Sequence, residues 1–191
     1  MNLIQNEDML YSQFLFSRTL YVGMGSYTFL DTDEIIEKAA GLTTPEIFAS
    51  EGEDGFRDIE AQVLDSVYPY VRCVVGTGGG IVCRMENWSK LHTGLVVWLD
   101  VAPEVIYDRI QGTDRPLLQT DDPLQTLKKL VESRKESYKN ADLRIEVTAD
   151  MDVTAVADEV IRELHHFIDA NPPAWKIAKQ KAQAEGLDWL Q

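Results

Sequence analysis

Residues 72–84, RCVVGTGGGIVCR, restrict the fold more than any other stretch of the chain. Val74, Val75, Gly76 and Thr77 make a run of strand length that breaks into Gly78, Gly79 and Gly80 before apolar sequence resumes. A strand without polar alternation fits a parallel sheet covered on both faces. Three residues lacking Cβ atoms at its end leave bare backbone on which a ligand can lie, and ligands in open α/β sheets collect outside the carboxyl ends of strands. The glycine run therefore reads either as the floor of a small polar-ligand site or as a tight strand-to-helix turn.

The flanking sequence alternates strands with helices. Residues 27–30, 95–101 and 143–147 read as strands, whereas 34–40 (closed by Gly41), 45–52, 52–64, 85–91, 103–110, 124–141 and 153–168 have helical spacing. This pattern predicts an α/β fold with a parallel sheet between helices, and 191 residues suffice for one such core. Three segments are expected: an irregular start, 1–26; the main domain, 27–171; and an extension, 172–191, set off by Pro172-Pro173. The extension carries Trp175 and Trp189 as anchors for a protein partner or for the body of the chain.

Charge narrows the function classes. The chain has 18 basic and 32 acidic side chains, a formal net charge of −14, which opposes binding to nucleic acid or anionic lipid. Cys73, Cys83 and three scattered histidines make neither a disulfide framework nor a metal-ligand pattern. A reducing compartment fits this composition, and the first residues read as neither a signal peptide nor a membrane span.

Several side chains could carry chemistry. Asp31 and Asp33, two apart at a strand end, would point the same way; one suits a magnesium shell and the other a substrate hydroxyl. Either could instead cap the helix that begins near Glu34. Arg57 stands on the flank of an amphipathic helix, where arginine is ordinarily solvated. Residues 112–123 form a polar, lid-like loop carrying Arg115, and Arg134 and Tyr138 share a helix face at i, i+4.

Taken in order, FLDTD, IFASEGEDGFRDIE, GTGGGIV, VWLDV, DRPLL and SRKESYKNAD make residues 27–168 resemble the shikimate kinases, P-loop proteins of the nucleoside-monophosphate-kinase-like branch. The stretch NWSKLHTGLVVWLDV is similar to cyanobacterial and plastid members, so a chloroplast stroma, or otherwise the cytoplasm, is the expected location. The resemblance implies transfer of a phosphoryl group from ATP, with Mg2+, to the 3-hydroxyl of shikimate, a step toward aromatic amino acids. At the matching positions it implies that Asp33 binds the reacting hydroxyl and acts as base, and that Arg57 and Arg134 clamp the shikimate carboxylate. Gly78, Gly79 and Gly80 would present backbone to the ring hydroxyls. Asp31 falls where the family assists magnesium, Arg115 where the lid reaches the transferring phosphate, and Arg109 where a nucleotide contact would form. Such parts suit a reaction that is mostly positioning and charge neutralisation.

One departure from the family is legible. A P-loop, Gly-x-x-x-x-Gly-Lys-Ser/Thr, wraps phosphates in backbone N–H groups, neutralises them with lysine and ligates magnesium through the hydroxyl. Here Gly23-Met24-Gly25-Ser26 runs straight into Tyr27, and no Gly-Lys pair occurs in the chain. A non-catalytic binding or regulatory relative, or a truncated isoform, is therefore the alternative to an active kinase. The same departure constrains topology. Residues 20–22 read as the strand before the phosphate loop, yet 23–26 reach only about 14–18 Å, too short for a return along a parallel strand. Residues 1–26 are predicted to be displaced or re-paired, leaving the central place beside the glycine strand empty or wrongly filled.

Overall fold

The computed structural model describes residues 2–5, 27–110, 116–172, 177, 180–181 and 184–185. Five strands, β1 (Asn2–Gln5), β2 (Thr28–Asp31), β3 (Cys73–Thr77), β4 (Val96–Val101) and β5 (Leu143–Val147), form one sheet. Its order is β2-β3-β1-β4-β5, and every neighbouring pair is parallel. Around it lie α1 (Thr32–Ala40), α2 (Thr44–Val67), α3 (Asn87–Leu91), α4 (Pro103–Arg109), α5 (Pro123–Tyr138) and α6 (Val153–Ala170). Short 3-10 turns occupy Gly79–Cys83 and Pro116–Leu118.

The apolar strands are buried on both faces, as their lack of polar alternation requires. Along β4, Val97, Leu99 and Val101 join one core cluster, with Ile145, Val147 and residues of α6. Val96 and Trp98 join the other, with Cys73, Val75 and residues of α2 and α3. This two-residue alternation places a helical layer on each side of the sheet.

Local chemistry fixes the helix ends. Gly41 closes α1 at φ 67°, a left-handed conformation that costs glycine little. At the start of α2, Glu46 accepts from the Thr43 N–H at 2.7 Å, while Asp152 accepts from Ala155 N–H at 2.8 Å at the head of α6. The two helices expected over 45–52 and 52–64 are one element broken at Gly52, where φ is 72° and ψ −176°. That backbone region is essentially restricted to glycine.

At the centre of the sheet the start of the chain is re-paired, one of the outcomes expected for residues 1–26, and the place is not empty. The place expected to be empty or wrongly filled holds β1, whose Leu3 is registered against Gly76 on one side and Val97 on the other. Because the central strand is 2–5 rather than 20–22, the chain from Gln5 to Thr28 exceeds the dozen or so residues that a parallel crossover needs. Residues 20–22 and the Gly23-Met24-Gly25-Ser26 run lie outside the described residues, as do Trp175 and Trp189. In the extension, Ile177 is exposed and Glu185 N–H donates to the Lys181 carbonyl at 3.1 Å, one helical turn. No described helix is long and apolar enough to cross a membrane.

Strand order reverses at β1, with β2 and β3 to one side and β4 and β5 to the other. The carboxyl ends of β3 and β1 therefore flank a topological switch point, the usual place for a ligand crevice. The glycine run leaves β3 there.

Candidate active site

A cleft of about 490 Å³, counting space open to solvent, lies over the glycine run. Its walls include Asp33 from α1, Phe48 and Phe56 from α2, and Leu117 and Leu118 from the second 3-10 turn. The floor is held from beneath. Tyr138, 1% exposed, donates its hydroxyl to the Gly79 carbonyl at 2.9 Å and stacks on Trp98 with ring centroids 5.3 Å apart. Asn87 donates its Nδ2 to the Ile81 carbonyl at 2.9 Å.

At Gly80 the missing Cβ makes room for a functional group. A Cβ on Gly80 would stand 2.1 Å from Arg57 Cζ and from both of its Nη atoms. A Cβ on Gly78 would stand 3.6 and 3.7 Å from the two Asp33 carboxylate oxygens. The guanidinium and the carboxylate thus meet the same bare backbone.

Two arginines are buried: Arg57 is 6% and Arg134 5% exposed. Arg57 Nη1 donates to Glu60 Oε2 at 2.8 Å, and Glu60 is itself 1% exposed. Burial alone pulls the Arg57 pKa down, but the charge and hydrogen bond of Glu60 outweigh it and hold the guanidinium above its ordinary value. Glu53 Oε1 lies 3.7 Å from Arg57 Nη2 and 3.8 Å from Arg134 Nη2, so one carboxylate spans both cations. Desolvated guanidinia of this kind are suited to forked recognition of a carboxylate. A nearby half-buried aspartate adds a hydroxyl acceptor, and the phenylalanines add an apolar wall.

Residues 23–165 match the family model described as shikimate kinase. The chain belongs to the shikimate kinase family. Among curated members, the shikimate kinase of Synechococcus elongatus is 52% identical over 136 residues, 71% of this chain and 72% of the relative. That of Trichormus variabilis is 50% identical over 137 residues, 71% and 76% of the two chains. Of the solved structures, shikimate kinase from Acinetobacter baumannii in complex with shikimate superposes with a TM-score of 0.78. Its identity is 31%, covering 90% of this chain and 95% of that one.

Of the residues singled out in the sequence, Asp33, Arg57, Gly78, Gly79 and Gly80 line the cleft together. Arg134 is tied to them through Glu53. Asp31 and Asp33 part ways, contrary to the expectation that they point together. Asp31 is the last residue of β2, but the helix begins at Thr32, so the strand periodicity does not reach Asp33. Asp31 Oδ1 accepts from Asp33 N–H at 2.9 Å and Glu34 N–H at 3.3 Å, which makes it the cap of α1. Arg109 stands outside the cleft, donating to the Met151 carbonyl at 3.0 Å. Arg115 lies outside the described residues.

Glu60 and Glu53 escaped the sequence reading, although both left a signal. Glu60 follows Arg57 at i+3 on a face shared with Phe56 and Val63, and Glu53 precedes Arg57 at i−4, both spacings that bring helix side chains together.

The cap gives a direct prediction. Asp31→Asn should keep the cap, since Asn and Asp serve about equally at that position. It should also remove a carboxyl whose burial raises its pKa. The folded parent takes up that proton before the unfolded chain does, so parent stability falls as pH rises from the ordinary carboxyl value through the raised one. The variant is expected to match or exceed the parent in denaturant melts at neutral pH, with the difference shrinking in acid. A markedly weaker variant at neutral pH would mean that the carboxylate's attraction to the helix N-terminus outweighs its burial.

Proposed function

We propose that the chain binds shikimate in this cleft and carries out the family's ATP-dependent phosphorylation only weakly. The meeting of Asp33, Arg57 and the glycine run in one cleft carries the reading. Arg57 and Arg134 would receive the shikimate carboxylate, while the bare backbone of Gly78, Gly79 and Gly80 would face the ring hydroxyls. Asp33 would accept the proton of the reacting hydroxyl as the hydroxyl oxygen bonds to the γ-phosphorus of ATP and the bond from that phosphorus to ADP breaks. The shikimate complex of the Acinetobacter baumannii relative supports this choice of acceptor.

The donor side is the weak half. ATP with magnesium supplies the phosphoryl group in the family. Among the described residues no grouping of three or more His, Cys, Asp or Glu could hold a metal ion. Asp31 already commits Oδ1 to the helix cap, so magnesium would be held chiefly by the nucleotide's phosphates. Arg109 and Arg115 remain the proposed nucleotide-side cations. The chain has no Gly-Lys pair to complete a phosphate loop, and single preorganised donors of that kind are worth about 10²–10³ in rate. Likeness to cyanobacterial members supports a plastid setting.

Calorimetry tests the acceptor site. Arg57→Ala and Arg134→Ala are each expected to weaken shikimate binding by about 2–5 kcal/mol, the usual cost of removing one partner from a desolvated charge pair. Parent-like affinity in either variant would sink the assignment.

A further inference from the structure

We propose that Glu53 is an internal competitor for the ligand carboxylate and sets the affinity of the site for anionic ligands. The inference rests on the reading that Arg57 and Arg134 receive that carboxylate. Glu53 Oε1 lies 3.7 Å from one guanidinium and 3.8 Å from the other, so it occupies the position between them that a forked ligand would use. Both distances exceed direct hydrogen-bond length. The contact is therefore held by charge rather than by the paired N–H···O bonds a ligand carboxylate can make.

Glu53 is also the carboxylate able to leave. Its side chain is 47% exposed, against 1% for Glu60, so it returns to water with little desolvation cost. Glu60 cannot do so without stranding a buried charge. Backbone geometry separates the two roles. Glu53 follows the break at Gly52 directly, where φ is 72°, whereas Glu60 lies deeper in the second half of α2.

Charge makes the exchange necessary. Arg57 and Arg134 already face Glu53 and Glu60, and Asp33 lines the cleft with Arg57 and Glu60. A ligand carboxylate entering beside all three would add unfavourable negative charge in a poorly solvated space. Displacing Glu53 removes that excess, at the expense of part of the ligand's binding energy.

The test is calorimetry on the full chain with two probes, shikimate and its uncharged carboxamide. Glu53→Gln is expected to bind shikimate roughly three- to tenfold more tightly than the parent, a gain of about 0.7–1.4 kcal/mol, within what its two partly exposed ion pairs together contribute. Glu53→Ala should shift affinity in the same direction. The carboxamide should show no gain. Glu51→Gln removes the same charge two residues away, and it is expected to change shikimate affinity by less than about twofold. Parent binding with an equal or weaker Glu53→Gln complex would overturn the competitor role alone. A matching gain in Glu51→Gln or with the carboxamide would also overturn it, by assigning the effect to general charge or to sterics. Absence of binding by both parent and Glu53→Gln would overturn the shikimate site and the competitor role together.

Discussion

Gly80→Ala is expected to abolish measurable shikimate binding and to lower the stability of the chain. The added methyl would sit 2.1 Å from three atoms of the Arg57 guanidinium, far inside van der Waals contact. Guanidinium groups usually swing aside easily. Here the side chain is 6% exposed, its Cζ lies 5.2 Å from the Phe56 ring centroid, and it is hydrogen-bonded to Glu60 at 2.8 Å. Movement away from Gly80 must therefore break the pair with Glu60. Breaking a buried pair costs about 3–5 kcal/mol, and the displaced cation no longer faces the floor of the cleft. Shikimate affinity should fall by at least about 10²-fold, the equivalent of ~2.7 kcal/mol. Calorimetry and denaturant unfolding of the same sample would measure both effects. Parent-like affinity would reveal that Arg57 has room the packing does not suggest.

Glu60→Ala is expected to be strongly destabilising. It leaves Arg57 buried without the acceptor whose charge outweighs the cost of its burial. The expected loss of about 3–5 kcal/mol corresponds to a Tm lower by roughly 6–20 °C for a chain of this size. Glu60→Gln separates charge from shape, since the amide keeps one acceptor oxygen for Arg57 and should fall between parent and Ala. Thermal unfolding of the three proteins checks the order. If Glu60→Ala were as stable as the parent, Arg57 would have reached water or another acceptor, and Glu60 would not be what holds it in place.

The parts of the fold that were legible are those whose sequence has one reading. β3, β4 and β5 are apolar runs bounded by breakers, and Gly41, Gly52 and Pro103 mark helix ends through backbone constraints that act locally. β1 was not legible. Asn2–Gln5 is too short to express a period, and the more uniformly apolar stretch at 20–22 offered a more persuasive strand. Its place is set by pairing with β3 and β4, a tertiary effect that no local propensity encodes.

The site divides along similar lines. The glycine run announced a bare backbone, but what the bareness serves, the seating of Arg57 on Gly80, depends on a helix from elsewhere in the chain. Arg57 on its own helix looks like a solvated flank residue and only the family resemblance argued otherwise. For Asp31 and Asp33 the strand periodicity fails because the chain turns into α1 at Thr32, whereas the alternative reading of a helix cap holds for Asp31. Glu53 and Glu60 were hidden because acidic residues on a helix are ordinarily surface charges, and only the packed structure places two buried cations beside them.

The central claim is that this chain, which has no Gly-Lys pair, carries a shikimate acceptor site. One sample of the full chain, titrated with shikimate in a calorimeter and then assayed for ATP-dependent phosphorylation beside the Synechococcus elongatus relative, tests it most directly. Saturable shikimate binding with turnover at least about 10²-fold below the relative is the expected result. Absence of shikimate binding, or turnover equal to the relative's, would contradict it.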